Sequence, residues 1–408
     1  MSDNQRHGFN SKAVHDGYHA SSGPVNPPIE ESSTYAFRNT DDGAGRFASR
    51  DKTGIYARIS SPTVRALETK LASLEGGHDG IATASGMAAV TAVYFHYLNH
   101  HSHAIATASM YGPSRTILEN SAFFGKWGVR ATFMDTSRAD DVRQAIQPDT
   151  RLIYIETPAN PTLSITDIAA IAALAQARNI PLVVDNTFCS PYLQNPLTLG
   201  ADVVLHSMTK SIGGHANAVG GVIVPKTEED YYALRSVVTN TGGVLAPHNA
   251  GLFFTGVKTL GLRMERMQAN AIRIADYLKQ HEKIEWVIYP GHAEHPMHHL
   301  IGEGRQMRGP GAMISFGVKG GLAGAKTLLD NVRLNTLAVS LGGVESLLES
   351  PALMTHAGVP REHREAAGIP DELVRCSAGI EDCDDLLADF EQALAKVEVA
   401  LLEAEHAV

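Results

Sequence analysis

Between about residues 62 and 250 the chain alternates short, largely apolar runs with helical segments, and this rhythm limits the fold more than any other feature. The runs at 103–106, 151–155, 181–184, 202–205 and 219–224 are too short for ordinary helices and too continuously apolar for half-solvated strands. Between them lie segments such as 165–178, dense in Ala and Ile. Strands buried on two faces and separated by helices predict an α/β fold with a mostly parallel sheet covered by helices. In such sheets ligands bind beyond the C-terminal ends of the strands. At 408 residues the chain also exceeds the ~250–300 at which a single core stops growing. A second region is expected, with a long helical stretch at 249–280, strands at 312–318 and 373–377, and an amphipathic helix at 384–403. Residues 1 to about 60 hold many Gly, Ser, Asn and Pro and no sustained period, so they read as an arm that must lie on something, such as a neighbouring subunit.

The residues at strand ends carry the chemistry. Lys210 closes the run Leu205-His206-Ser207-Met208-Thr209-Lys210. An ordinary lysine titrates near ~10.4 and is a poor nucleophile at neutral pH. As a Schiff base with an aldehyde cofactor it becomes a transfer point and a proton shuttle. Ser207 and Thr209 could donate to a phosphate beside it. Asp185 follows the apolar run Val183-Val184, where burial penalises its charge unless a cation, such as a pyridinium nitrogen, lies opposite. Ser85-Gly86-Met87 precedes a helical run at 88–98, and a helix start with a small residue presents free N–H groups to phosphate. Tyr111 could stack on a cofactor ring. Arg375 sits inside the apolar run 373–377, a costly place unless it meets an anion such as a substrate carboxylate. Tyr56 and Arg58 alternate across Ala57, so in an extended chain they point the same way and could grip one phosphate. Taken singly, each has an ordinary structural explanation. Their joint occurrence is what carries weight.

Composition removes other classes. A formal net charge of -10, with no dominant basic run, leaves no footprint for nucleic acid. There is no Walker loop and no dinucleotide glycine fingerprint after a strand. No stretch of ~18 apolar residues predicts a membrane span. Met1 to His7 lacks the pattern of a signal peptide, and the three cysteines, Cys189, Cys376 and Cys383, fit neither a disulfide framework nor a zinc motif. A cytoplasmic location is the simplest expectation. The histidines at 96, 100, 101 and 103 and along 292–299 lack acidic or cysteine partners, so solvated side chains are expected and no metal.

In this combination the chain resembles the Cys/Met-metabolism class of fold-type I pyridoxal-phosphate enzymes, from about Gly8 to Leu402. That class holds methionine γ-lyase, cystathionine lyases, cystathionine γ-synthase and O-acetylhomoserine sulfhydrylase. The densest motifs are 56–63, Ser85-Gly86-Met87, 156–161, 184–187, 206–210 with Gly213-Gly214-His215, Ser340-Leu341-Gly342-Gly343 and 373–377. The resemblance implies an arm at 1–61 completing the neighbouring subunit's site, a large cofactor domain at 62–258, a smaller α/β domain at 259–408, and a homotetramer built from two dimers. It implies that Lys210 carries the cofactor, Asp185 pairs with the ring nitrogen and Tyr111 stacks and moves protons. Gly86, Met87, Ser207 and Thr209 would hold the phosphate, with Tyr56 and Arg58 reaching it from the neighbour. Arg375 would bind the substrate carboxylate, helped by Asn160, which also borders the cofactor, and by Ser340.

The chain is similar in pattern to methionine γ-lyase but departs from it at Pro113, where those enzymes typically carry a cysteine, and at Thr239 and Asn240, where they carry charged residues. Val339 stands where cystathionine-handling γ-enzymes often place a glutamate. The expectation is a γ-lyase on a four-carbon amino acid with a γ-heteroatom, such as methionine, homocysteine or canavanine. An O-acetyl- or O-succinylhomoserine sulfhydrylase or a cystathionine γ-synthase is the alternative, with cystathionine γ- or β-lyase behind them. Lys210 would take the Cα proton, Tyr111 would assist at the leaving group, and the partition between elimination and replacement stays open. A non-catalytic protein on this fold would be expected to lack Lys210, Asp185 or Arg375, and all are present.

Overall fold

The computed structural model describes residues 7–50, 52–358 and 360–406, excepting the side chains at 363, 366 and 398–406. Met1 to Arg6 lie outside the described residues. Among the described residues, twelve strands form two sheets. The first seven are β1 (Ile81–Thr83), β2 (His103–Thr107), β3 (Arg130–Met134), β4 (Thr150–Glu156), β5 (Leu182–Asp185), β6 (Val203–Ser207) and β7 (Gly221–Pro225). They run in the order β1-β7-β6-β5-β4-β2-β3. The pairs from β6 to β3 are parallel, while β7 runs antiparallel to β6 and to β1. The sheet is thus mostly parallel with a reversed edge. Because side chains alternate faces, Ile153, Ile155, Val184 and Val204 pack on one side with Leu67, Leu71 and Phe253. Leu152, Tyr154, Val183 and Leu205 pack on the other with Val90, Val93 and Leu234.

The second sheet holds β8 (Ile284–Ile288), β9 (Met313–Val318), β10 (Thr336–Leu337), β11 (Leu347–Glu349) and β12 (Leu373–Ser377), in the order β10-β11-β12-β9-β8. Ile314, Phe316, Val374 and Cys376 face the helices Gly321–Asn331 and Cys383–His406 through Leu328, Leu386 and Phe390. The expected long helix at 249–280 is two helices, Pro247–Val257 and Leu260–Gln280. The Arg263 guanidinium braces the break. It donates to the Gly256 carbonyl at the end of the first helix and to Ser211 and Ile212 in the loop after Lys210. The same Gly256 carbonyl accepts from the Thr259 N–H at 3.2 Å, a tighter turn that ends the first helix. The second helix also joins the two cores: Leu260, Met264 and Met267 belong to the first, and Ala271, Ile274 and Leu278 to the second.

The arm is more structured than its sequence suggests. It contains the helices Phe9–His15 and Thr40–Ala48. Each is short, so neither shows a sustained period. Asn39 caps the second by accepting from the Asp42 N–H at 2.8 Å. The buried Lys70 donates to the Ala13 carbonyl at 2.7 Å and fastens the first helix to the body. Among the described residues, no helix is long and apolar enough to cross a membrane.

Candidate active site

A cavity of about 340 Å³ opens where the C-terminal ends of β4, β5 and β6 meet the second sheet. Lys210, Asp185, Tyr111, Gly86, Met87, Ser207, Thr209, Asn160, Arg375, Ser340 and Val339 all line it, although they are spread over nearly 300 positions of chain. The parallel topology brings the residues after β4, β5 and β6 together, because those strands end on the same side, and the second sheet with its loops adds Arg375, Ser340 and Val339.

Asp185 ends β5 and is buried. Its Oδ1 accepts from the Thr187 N–H at 3.0 Å and the Thr187 hydroxyl at 2.5 Å, and its Oδ2 from the Tyr154 hydroxyl at 3.2 Å. Burial nevertheless holds its carboxyl above the usual aspartate range, and the bonds from Thr187 and Tyr154 only partly offset that. A cation opposite it would remove the remaining penalty. Lys210 Nζ donates to Ser340 Oγ at 2.8 Å. Burial first, and the Arg375 charge second, push its ammonium down to about 8. The amine is therefore far easier to deprotonate than an exposed one.

Arg375 extends from β12 and is 3% exposed. It donates to Asn160 Oδ1 at 2.9 Å and to the Ser340 carbonyl at 2.6 Å. It also pairs with Glu349 at 2.8 Å, directly across on β11 and 0% exposed. Its buried Nε has no partner among the described residues. Ser340 itself adopts φ 91°, a left-handed conformation that non-glycine residues rarely hold. That backbone turns its hydroxyl toward Lys210 and its carbonyl toward Arg375.

Ser85 caps the helix Gly86–Tyr97 by accepting from the Ala88 N–H at 3.1 Å. The N–H groups of the first turn point into the cavity end lined by Ser207 and Thr209, with the positive end of the helix dipole. A Cβ on Gly86 would come within 2.9 Å of Ser207 Cβ, so only glycine leaves this cradle open. A lysine amine of lowered pKa, a buried carboxylate lacking a cation and a helix start kept clear by glycine fit pyridoxal phosphate at its aldehyde, ring nitrogen and phosphate.

A family model described as Cys/Met metabolism PLP-dependent enzyme matches residues 10–395. The chain belongs to that family, and its cofactor is pyridoxal phosphate. An L-methionine gamma-lyase of Pseudomonas deceptionensis is 44% identical over 391 residues, covering 95% of this chain and 97% of that one. A cystathionine gamma-lyase of Bacillus subtilis is 44% identical over 375 residues, 92% of this chain and 95% of the other. The crystal structure of metB from Corynebacterium glutamicum superposes with a TM-score of 0.90 at 41% identity, covering 97% of this chain and 100% of that one. As in the whole family, the fold is that of fold-type I pyridoxal-phosphate enzymes.

Some expectations need correction. Pro113 is exposed at the start of the helix Gly112–Glu119 and does not line the cavity. Tyr56 and Arg58 are not in an extended run, since residues 57–59 form a turn closed by the Tyr56 carbonyl. The two side chains still associate, with the guanidinium 5.6 Å from the ring centroid. They lie outside this chain's own cavity, where Arg58 donates to the Thr239 carbonyl at 2.7 Å. Thr239 and Asn240 line a separate cleft between the arm and the helix Glu228–Thr241. Two histidines expected in solvent are buried and bonded: His103 to Thr150 and Thr132, His295 to the Leu163 carbonyl.

Four site residues had no role in the sequence reading. Tyr154 and Thr187 hold Asp185, Glu349 holds Arg375, and Glu156 ends β4 beside Asp185. Glu156 carried a readable signal, being a carboxylate after an apolar run as Asp185 is. Burial and the neighbouring Asp185 charge push its carboxyl well above the usual range.

Proposed function

We propose that this enzyme is a γ-lyase of the methionine γ-lyase type, acting on a four-carbon L-amino acid with a γ-heteroatom and a neutral, compact leaving group. The observation that carries this reading is the division of the cavity. Its ionisable lining, Lys210, Asp185, Glu156 and Arg375, is clustered where an amino acid's α-carbon would sit. The remaining wall is largely apolar, with Val90, Phe188, Val219, Val339 and Leu341. Arg375 would take the α-carboxylate in a charge-assisted pair, and the apolar wall would receive the γ-substituent. A distal ammonium or carboxylate, as in cystathionine, finds no counter-charge among the described residues of that wall. Relatives named L-methionine gamma-lyase, from Pseudomonas deceptionensis and Fusobacterium nucleatum at 44% and 41% identity, support the same class.

Bound pyridoxal phosphate supplies an aldehyde for the substrate amine and a protonated ring that withdraws electrons from it. Asp185, fixed by Thr187 and Tyr154, would keep the ring nitrogen protonated. Gly86, Met87, Ser207 and Thr209 would hold the phosphate, joined by Tyr56 and Arg58 from a neighbouring subunit of a homotetramer. Lys210, released from the cofactor, would remove the proton at Cα, which its lowered pKa favours at neutral pH. Tyr111 would handle the proton at the departing γ-group. Asn160 and Ser340 would hold the Arg375 fork in place. Function in the cytoplasm completes this reading.

A screen of methionine, homocysteine, canavanine, cystathionine and O-acetylhomoserine, scored for 2-oxobutanoate, homoserine and thiol products, tests the proposal. Methionine or homocysteine giving 2-oxobutanoate is the expected outcome. Reaction confined to cystathionine, or thiol-dependent replacement without elimination, would reject it.

A further inference from the structure

The hydrogen bonds around the cavity form one continuous path. Lys210 Nζ donates to Ser340 Oγ at 2.8 Å. The Ser340 carbonyl accepts from Arg375, whose other nitrogen donates to Asn160 Oδ1. The Asn160 N–H donates to Glu156 Oε1 at 3.2 Å, and the Tyr111 N–H donates to Glu156 Oε2 at 2.8 Å. One carboxyl group therefore joins the loop after β2, which bears Tyr111, to the loop after β4, which bears Asn160. Glu156 is 5% exposed and is held from behind, its own N–H donating to Thr107 Oγ1 at the end of β2. Each of its oxygens serves one loop, so the side chain acts as a rigid spacer between the two.

The placement is costly. Glu156 lies directly opposite Asp185 in the β4–β5 register, so two carboxyl groups share a buried strand end. A glutamine would avoid that cost but would present an NH₂ to one of the two loops, where glutamate offers an oxygen to each. The loops it joins hold different functions under the reading above: the face against the cofactor ring on one side and the carboxylate clamp on the other.

We infer that Glu156 is a positioning residue that fixes the Tyr111 ring and the Asn160–Arg375 clamp at one separation, so that ring stacking and carboxylate capture depend on each other. The inference rests on the proposed roles of Tyr111 and Arg375. Loss of the spacer should disturb two properties that no single contact of Glu156 with a ligand would link.

The test uses the cofactor-loaded enzyme and two variants. Glu156→Ala removes both acceptors, while Glu156→Gln keeps one oxygen and presents an NH₂ to the other loop. Visible circular dichroism of the bound cofactor reports the ring's surroundings without substrate. Glycine, which has an α-carboxylate and no γ-group, is the probe for the clamp, followed by its spectral shift. In Glu156→Ala the dichroism band should fall, and the glycine Kd should rise ~10- to 100-fold, as for a misplacement of about 1 Å. Glu156→Gln should lie between this variant and the parent on the two measures. If Glu156→Ala does not fold, the same two readings on Glu156→Gln decide. Unchanged dichroism and a glycine Kd within about twofold would overturn the inference, even with lowered thermal stability, because a purely structural role predicts that pattern. Asn160→Ala separates the premises. If it raises the glycine Kd while the Glu156 variants do not, the inference fails and the site reading stands. If it has no effect, the site reading fails first.

Discussion

The Arg375–Glu349 pair offers a prediction whose size follows from its setting. Its atoms are 2.8 Å apart, and the two side chains are 4% and 0% exposed. At an effective dielectric constant of ~20 that separation corresponds to roughly 6 kcal/mol of attraction. Asn160 and the Ser340 carbonyl would remain as acceptors for the guanidinium after loss of Glu349. They offset part of the loss, which leaves about 3–5 kcal/mol, the usual cost of stranding one member of a buried pair. Glu349→Leu should therefore lower the unfolding free energy by that amount in urea titration at fixed cofactor concentration. Arg375→Met alone should cost a similar amount, because it strands Glu349. The double variant should be less destabilised than the sum of the singles by about 3 kcal/mol or more, since it removes the charge and its counter-charge together. Additive effects, or a Glu349→Leu cost under about 1 kcal/mol, would refute the idea that Glu349 is what makes a buried Arg375 tolerable.

Further outcomes follow from the same geometry. Because burial and Arg375 hold the Lys210 ammonium near about 8 instead of 10.5, the cofactor-free protein should capture pyridoxal phosphate faster as pH rises, levelling off above that value. The rise should move to higher pH in Arg375→Met, and a stopped-flow profile flat across it would refute the assignment. The same shift has a stability sign: the unfolded chain binds the extra proton between the two values, so this contribution grows as pH rises through that window. Gly86→Ala puts a Cβ 2.9 Å from Ser207 Cβ and should weaken cofactor affinity by ~1–3 kcal/mol, measured by equilibrium dialysis of the cofactor-free protein. Val339→Glu places a carboxylate on an exposed part of the apolar wall. It should raise kcat/KM for cystathionine relative to methionine by up to ~5-fold, the worth of a solvated ion pair, and an unchanged ratio would count against the proposed specificity.

The parts legible in sequence were those whose signal is local. The apolar runs of β2, β4, β5, β6 and β9 are uniform enough to read directly, and the first four are followed by residues at the cavity, Tyr111, Asn160, Thr187 and Lys210. The strands missed are short or mixed: β1 and β11 have three residues each and β10 two, and β3 and β8 are half-buried edges. Glu349 was invisible for that reason, since its importance comes only from lying across from Arg375. Tyr154 sits inside an apolar run, where a tyrosine reads as core until its hydroxyl is found on Asp185. The break after Val257 is braced by Arg263, which reaches a carbonyl seven residues back and two more about fifty residues away, contacts that no window along the chain contains. Pro113 was assigned by resemblance to the family's pattern; it is exposed at the start of the helix Gly112–Glu119, and Tyr111 and Ser114 on either side of it line this chain's cavity.

Ser340 sets a practical limit on redesign. Its hydroxyl serves the reactive amine and its main-chain carbonyl serves the guanidinium, in a left-handed conformation. A library that randomises the pocket wall can vary Val339 widely, because that side chain carries no hydrogen bond and opens to solvent. One position later, the choice narrows to residues that tolerate positive φ, chiefly Gly and Asn beside the resident Ser. Of these, glycine would keep the grip on Arg375 while removing the hydroxyl from Lys210. The two neighbours thus form a boundary between sequence that can be searched and sequence that must be kept.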